Sequence, residues 1–317
     1  MYGVYCVHLK QSMAEEQMRT HLIYPIIVNW NLASETIPCI QSLLTAGAPA
    51  GQIIVVDNGS QDDSVAQLTA CFGDQIRLIS HPTNLGFAGG NNIGIEVALQ
   101  AGAEWVLLVN NDTVVDATFL QELGQAIGQH PECQIIGPLI LYFSEPNRIW
   151  SLGDRLVPGT LITRRLWHDE AVPDTLPPFM AVDFLNACCM LIHRTVFEKI
   201  GLLDATYFMY AEDADFCWRA RQAGIKLGCA TTARIWHKVS RSTGIYHPQT
   251  RYWRINNQIR VYRTHAQRWQ LPMMFGFTLI RSLILATVDF SQKRTQLAQE
   301  TLRAWRDGWW RDGISTL

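Results

Sequence analysis

The strongest constraint on the fold is a rhythm between residues 22 and 140. Short apolar runs end on polar residues and are separated by longer stretches with helical spacing. "LIYPIIVNWN" (22–31), "QIIVVDNGS" (52–60), "QIRLIS" (75–80), "EWVLLVNND" (104–112) and "CQIIGPLI" (133–140) read as five strands, and about 33–46 as the first helix between them. Near-continuous Ile/Val/Leu runs suit strands covered on both faces, where the usual alternation of apolar and polar residues is lost. Strand–helix alternation at this spacing predicts βαβ units and a parallel, doubly wound sheet. Ligands bind such sheets in the crevice beyond the carboxyl ends of the strands. Three of those ends are polar: Asn29-Trp30-Asn31, Asp57-Asn58-Gly59-Ser60 and Asn110-Asn111-Asp112. A strand that only fills a core needs no such ending.

Further candidates for chemistry lie between and after these strands. "HPTNLGFAGGNNIGI" (81–95) is dense in Gly and Asn. Gly86, Gly89 and Gly90 permit positive φ and close ligand approach, and a helix starting near Asn91 would offer free N–H groups to an anion. The G-x-G-x-x-G spacing of the dinucleotide fingerprint is absent. Asp57 could accept from a pyrimidine N–H or from ribose hydroxyls, while Ser60, Asp62 and Asp63 could cap the next helix. Asp112 is the one carboxylate of its strand end, and a divalent ion on a diphosphate takes one or two carboxylates plus phosphate oxygens. "YAEDADFCWR" adds Glu212, Asp213 and Asp215 at a helix start, and "RIWHK" adds His237, a possible nitrogen ligand. Residues 142–180, with five prolines, read as a loop-rich excursion over the sheet.

Charge separates the end of the chain from the rest. Of 26 Lys/Arg and 28 Asp/Glu, residues 251–317 hold eleven and four, together with five of the eleven tryptophans. Basic charge mixed with Trp points to an anionic surface, a bilayer first; no nucleic-acid motif is present. Residues 271–288 are long enough to span a bilayer, but Arg281 inside the run costs roughly 2.5–3.5 kcal/mol on insertion scales. A buried or interface-lying helix is therefore expected. In 295–310, Ala298, Leu302, Trp305 and Trp309 fall on one helical face near Arg294, Arg303 and Arg306, which reads as an amphipathic interfacial helix. The eight cysteines show no CxxC pair and sit largely in apolar runs, as buried reduced thiols do. Residues 1–21 lack a signal-peptide core and read as a poorly ordered leader.

Taken in order, "IIVNWN", "IIVVDNGSQDDS", "NLGFAGGNNIGI", "VLLVNNDTVV", "DFLNACCMLIHRTVFEKIGLLD", "YFMYAEDADFCWRARQAG" and "IWHK" resemble the inverting glycosyltransferases of family 2. The similarity is closest to the rhamnosyltransferase-like branch and covers roughly 22–265. It implies an α/β GT-A fold, a Rossmann-like parallel or mixed sheet flanked by helices, with a C-terminal helical tail. The implied division is a nucleotide-binding half (22–140), an acceptor-binding half (141–249) and the tail (250–317). By position, Asn29 and Asp57 would contact the nucleoside, and Asn84, Gly86, Phe87, Gly89, Gly90, Asn91 and Asn111 would line the nucleotide-sugar pocket. Asp112 and His237 would hold Mn²⁺ or Mg²⁺. Asp213, beside Glu212, would be the catalytic base, and Lys238 and Arg241 would stabilise the leaving group. "NND" departs from a full DxD in having amides where many relatives have acids.

The implied partners are a dTDP-, UDP- or GDP-linked sugar, with rhamnose one candidate, and a saccharide or polyprenyl-linked acceptor in cell-surface polysaccharide synthesis. The implied location is the cytoplasm, peripheral on the inner face of the membrane. A sugar nucleotidyltransferase is the alternative enzyme, but it wants a basic Gly-rich loop for a triphosphate, and the first strand ends in "NWN" without one. A non-catalytic membrane-associated nucleotide-sugar-binding protein is the other alternative, and the presence of Glu212, Asp213 and His237 speaks against it.

Overall fold

The computed structural model describes residues 22–239 and 247–311. The leader and Arg241 lie outside the described residues. The first half alternates as its pattern predicts: β1 (Ile23–Asn29), α1 (Ala33–Thr45), β2 (Ile54–Asn58), α2 (Ser64–Phe72), β3 (Arg77–His81), α3 (Gly86–Gln100), β4 (Trp105–Asn110). There follow β5 (Thr113–Val115), α4 (Phe119–Gln129), β6 (Cys133–Tyr142), β7 (Ile149–Ser151), β8 (Asp154–Leu156), β9 (Thr163–Arg165), β10 (Phe179–Val182), β11 (Cys189–His193), α5 (Arg194–Ile200), α6 (Glu212–Gln222) and β12 (Lys226–His237). Three helices close the chain: α7 (Pro248–His265), α8 (Leu271–Ser291) and α9 (Thr295–Trp310).

The main sheet runs β10-β12-β6-β11-β4-β1-β2-β3, with β5 on β12 and β7 on β6 off that path. Strands β4, β1, β2 and β3 are mutually parallel, as expected. Beyond β4 the sheet is mixed, as the expected GT-A architecture allows. Strand β11 enters antiparallel between β4 and β6, and β12 then lies parallel to β6. The chain reaches β11 from the 142–188 excursion without a crossover helix, the connection a parallel neighbour requires.

Both faces of the sheet are covered. Odd-numbered residues of β1 and β2, such as Ile27 and Val55, pack under α1, α2 and α4 with Ile40, Leu68 and Phe119. Even-numbered ones, such as Ile26, Ile54 and Val56, pack under α3 and α6 with Ile95 and Phe216. Each such side chain contributes roughly 1.5–3 kcal/mol through burial, and all of β2 is buried, which explains its unbroken Ile-Val-Val run.

The closing helices are not a detached tail. Helix α9 packs on α7 and α8 through Leu297, Ala298, Thr301, Ala304 and Gly308. Its expected face of Ala298, Leu302, Trp305 and Trp309 is split: Ala298 is buried, whereas Leu302 is exposed, and Trp305 and Trp309 each donate to Thr278 on α8. The continuous exposed apolar surface belongs instead to α8.

Candidate active site

A cleft of about 780 Å³ opens where the carboxyl ends of β1, β2 and β4 meet the amino end of α6 and the inner faces of α7 and α8. A smaller cavity, about 320 Å³, lies at the opposite end of β4 beside Trp105 and His193 and holds none of the candidate residues.

Period-two alternation sorts the polar strand ends onto two faces. Asn29 and Asp57 are register partners across β1 and β2 and point to the α1 side. There Asn29 Nδ2 donates to Asp57 Oδ1 at 2.8 Å, Thr36 donates to Asn29 Oδ1 at 2.6 Å, and Ser60 donates to Asp57. Both are buried and neither lines the cleft. Asn111 does line it, and joins the same network by donating to Thr36 at 3.1 Å.

Asn58, one residue past Asp57, points the other way and forms cleft wall. Its Nδ2 donates to Asn84 Oδ1 at 3.0 Å and to the Gly86 carbonyl at 2.9 Å, and its Oδ1 accepts from Leu85 N–H. Asn58 therefore ties β2 to the loop before α3, a role the sequence reading missed. The alternation Ile54, Val56, Asn58 carried that signal.

The Gly/Asn-rich stretch works differently from expectation. Helix α3 begins at Gly86, not near Asn91. Gly86 alone among its glycines has a positive φ, 74°. Gly89, Gly90 and Asn91 are buried inside the helix and absent from the cleft lining. A Cβ on Gly90 would meet Val28 Cγ1 at 2.9 Å, so this glycine serves close helix–sheet packing. The first N–H groups of α3 are already taken: Gly86 N–H by Asn84, and Phe87 N–H by the Phe208 carbonyl at 2.6 Å. Asn84, Gly86 and Phe87 remain in the wall.

The Asn-Asn-Asp end is a reversal. Thr113 Oγ1 donates back to the Asn110 carbonyl at 2.7 Å, and β5 then pairs antiparallel with β12, setting His237 opposite Thr113. That register brings His237 Nε2 within 3.1 Å of Asp112 Oδ1, both side chains nearly buried. Trp150 stacks edge-on against the imidazole at 4.6 Å. Among the described residues, His237 Nδ1 and Asn110 Oδ1 are buried without hydrogen-bond partners. Two ligands at right angles on one cation, each about 2.1 Å from it, stand some 3 Å apart, so the pair fits a shared divalent ion. Among the described residues no third His, Cys, Asp or Glu joins it.

At the amino end of α6, Asp213 faces the cleft, its Oδ1 accepting from Ala214 N–H at 2.8 Å and its Oδ2 from Ala187 N–H at 3.3 Å. Burial raises its pKa, and those two N–H bonds oppose the rise. Glu212 is buried, with Oε2 unpartnered, and burial together with the Asp213 charge pushes its pKa up to about 8. At neutral pH Glu212 is therefore mostly protonated, whereas at Asp213 the two N–H bonds favour the charged form against burial. Asp215 plays no part in the cleft. Burial opposes its ionisation, but His265 at 2.8 Å and Arg219 at 2.7 Å outweigh this and lower its pKa.

The turn before α6 is strained, with Phe208, Tyr210 and Ala211 at φ of 49°, 69° and 71°, a region non-glycine residues rarely adopt. Buried Asn257 on α7 holds it: Nδ2 lies 2.9, 2.9 and 3.0 Å from the carbonyls of Tyr207, Met209 and Tyr210. The sequence reading missed Asn257 because nothing local to α7 marks it. Lys238, expected at the leaving group, pairs instead with Glu35 at 2.5 Å and sits over the Phe143 ring, outside the cleft lining. The Lys238 N–H bond to the Asp112 carbonyl points that side chain towards α1.

Comparison with known proteins agrees with this arrangement. The model of "Glycosyl transferase family 2" matches residues 26–201, more than half of the chain. The low-salt glycan biosynthesis hexosyltransferase Agl10 of Haloferax volcanii is 31% identical over 226 residues, 71% of this chain and 69% of that protein. An N-acetylglucosaminyl-diphospho-decaprenol L-rhamnosyltransferase of Mycobacterium tuberculosis is 28% identical, covering 65% of this chain and 72% of the relative. Among solved structures, GalNAc-T7 with UDP, GalNAc and Mn²⁺ superposes with a TM-score of 0.59 at 15% identity, over 76% of this chain but only 47% of that one. The mannosyltransferase PcManGT of Pyrobaculum calidifontis, with GDP-Man and Mn²⁺, gives 0.52 at 14% identity over 91% of this chain and 87% of its own. These structures establish the GT-A architecture, and the matched model, together with the Agl10 relative, establishes that the chain belongs to glycosyl transferase family 2.

Proposed function

We propose that this glycosyltransferase inverts the anomeric centre, moving a hexose or deoxyhexose such as rhamnose from a nucleoside diphosphate sugar to a lipid-linked or saccharide acceptor in cell-surface polysaccharide synthesis. It acts at the cytoplasmic face of the membrane. The observation that carries the reading is the meeting in one cleft of Asp213, the Asp112–His237 pair and the wall formed by Asn58, Asn84 and Gly86.

Asp213 takes the proton of the acceptor hydroxyl as that oxygen attacks the anomeric carbon opposite the diphosphate. The new C–O bond forms as the bond to the diphosphate oxygen breaks, and the nucleoside diphosphate leaves with the electron pair. The two backbone N–H bonds to Asp213 fix its orientation, and protonated Glu212 keeps a second negative charge away from the incoming hydroxyl. Asp112 and His237 would hold Mn²⁺ or Mg²⁺, which supplies a positive charge to the departing diphosphate. Asn58, Asn84, Gly86, Phe87 and Asn111 shape the nucleotide-sugar wall; Asn29 and Asp57, buried outside the cleft lining, brace it from behind. The relative that acts on a diphospho-decaprenol sugar supports a lipid-linked acceptor.

The test is Asp213→Asn. Sugar transfer should fall by about 10²–10⁴-fold, while calorimetry still detects nucleotide-sugar binding. Unimpaired transfer by this variant would remove Asp213 from the role.

A further inference from the structure

The α7 and α8 side of the cleft carries exposed cations. Arg254 on α7 and Arg281 on α8 both line it and both are exposed. Among the described residues neither is held in an ion pair. Their neighbour Arg251 shows the contrast, being tied to Asp289 at 3.0 Å and Thr301 at 3.3 Å. Arg254 lies over the Tyr210 ring at 5.0 Å, three residues from Asp213. An arginine placed in a cleft near a catalytic carboxylate, with no carboxylate partner among the described residues, suits an anionic ligand.

Arg281 also sits at the border of an apolar surface. Met273, Ile280, Ile284 and Val288, spaced seven, four and four residues apart, form one exposed stripe along α8. Only 22% of the most apolar window of this helix is buried. Such a stripe on water marks an interaction surface, and an arginine at its edge is how interface-lying helices reach the headgroup layer. Trp269, at 63% exposure just before α8, extends the same surface.

Resting on the glycosyltransferase reading above, we infer that Arg254 and Arg281 form a second anion subsite, for the diphosphate of a polyprenyl diphosphate-linked sugar acceptor. The Met273–Val288 stripe of α8 lies on the bilayer that carries that lipid. The order of groups on the protein matches the order along such a molecule. An apolar chain meets the α8 stripe, a doubly negative diphosphate meets two guanidiniums, and the sugar hydroxyl meets Asp213. A free saccharide acceptor would use neither the arginines nor the stripe. The donor diphosphate has its own place at Asp112 and His237.

The experiment is co-sedimentation of the full chain with three vesicle types: phosphatidylcholine alone, phosphatidylcholine with a few per cent polyprenyl diphosphate, and phosphatidylcholine with phosphatidylglycerol at matched charge. Polyprenyl diphosphate should raise binding about tenfold over both other vesicles. The Arg254→Ala/Arg281→Ala double variant should lose that increment, and Ile284→Asp should lose binding to all three. Equal binding to phosphatidylglycerol and polyprenyl diphosphate would overturn the subsite, as would a double variant that keeps the increment. Thermal melting confirms that each variant is folded. Nucleotide-sugar binding by the wild-type chain is read separately by calorimetry. Its absence sinks the glycosyltransferase reading, whereas its presence with charge-generic vesicle binding sinks the subsite alone.

Discussion

The two walls of the cleft are held by different means. The donor wall consists of strand ends and one loop whose side chains bond one another: Asp57 to Asn29, Asn29 to Thr36, Thr36 to Asn111, and Asn58 to Asn84. The opposite wall is built from α6, α7 and α8, with a strained turn, a carboxyl held protonated and arginines without carboxylate partners. One wall has its shape before any ligand arrives, as a site for a constant nucleotide needs. The other keeps charge and strain uncompensated, and those are the features an acceptor can satisfy. On the function proposed above, the difference puts pre-organisation on the donor side and specificity on the helical side.

Four substitutions can break or sharpen that contrast. Asp112→Ala should lower transfer most, by about 10²–10³-fold, and should abolish any dependence of donor affinity on Mn²⁺; a Mn²⁺-dependent titration in the variant would separate Asp112 from the metal. Gly86→Ala should destabilise the donor wall. Its φ of 74° costs roughly 1–3 kcal/mol, and the new Cβ would collide with the Phe208 carbonyl. Gly159→Ala is the control, with a φ of 75° and nothing within 4 Å of the added carbon. The melting midpoint should fall further for Gly86→Ala, and equal losses would show that strain alone matters.

Asn257→Ala frees the turn before α6 and should lower kcat by about tenfold or more while leaving donor affinity alone; a loss confined to donor affinity would assign Asn257 to the wrong wall. Glu212→Gln should act on the pH dependence of stability. Folding raises the Glu212 pKa from 4.5 to about 8, so the wild type loses stability as pH climbs through that window, where the unfolded chain releases its proton and the native chain keeps it. Glutamine mimics the protonated form, so the melting midpoint of the variant should gain on wild type from pH 5 to pH 8 by an increment calorimetry can resolve. A constant difference across the window would remove the linkage.

What was legible in advance follows the same divide. The parallel strands could be read because β-branched runs and a period of two are local signals. The insertion of β11 could not, because nothing near residues 189–193 announces that their neighbours are residues 105–109 and 135–136. Glycine is ambiguous for a physical reason: Gly86 serves a positive φ and Gly90 serves close packing, and the letter is the same. Asp57 drew the eye as the charged residue, yet it is neutral Asn58 that reaches the cleft, and only knowledge of which sheet face is open separates them. Lys238 was expected at the leaving group, and its partner Glu35, which lies 203 residues away, could not be seen in the sequence. Arg254 and Asn257 went unmarked in a segment read for its basic charge and tryptophans, and Arg281 was read only as a cost to membrane insertion, although Arg254 and Arg281 line the cleft.

The contact between Phe208 and the start of α3 bears on the order in which substrates add. The Phe208 carbonyl accepts the Phe87 N–H at 2.6 Å, so the loop proposed to meet the nucleotide sugar and the turn proposed to present the base touch through main chain, with no side chain between them to absorb a shift. If donor binding moves the one, it moves the other, and the enzyme would then take its substrates in sequence, donor first. Thermodynamic reciprocity makes this measurable from either end: the factor by which bound nucleotide tightens the acceptor must equal the factor by which bound acceptor tightens the nucleotide. Independent affinities would mean that the main-chain contact is rigid rather than communicating.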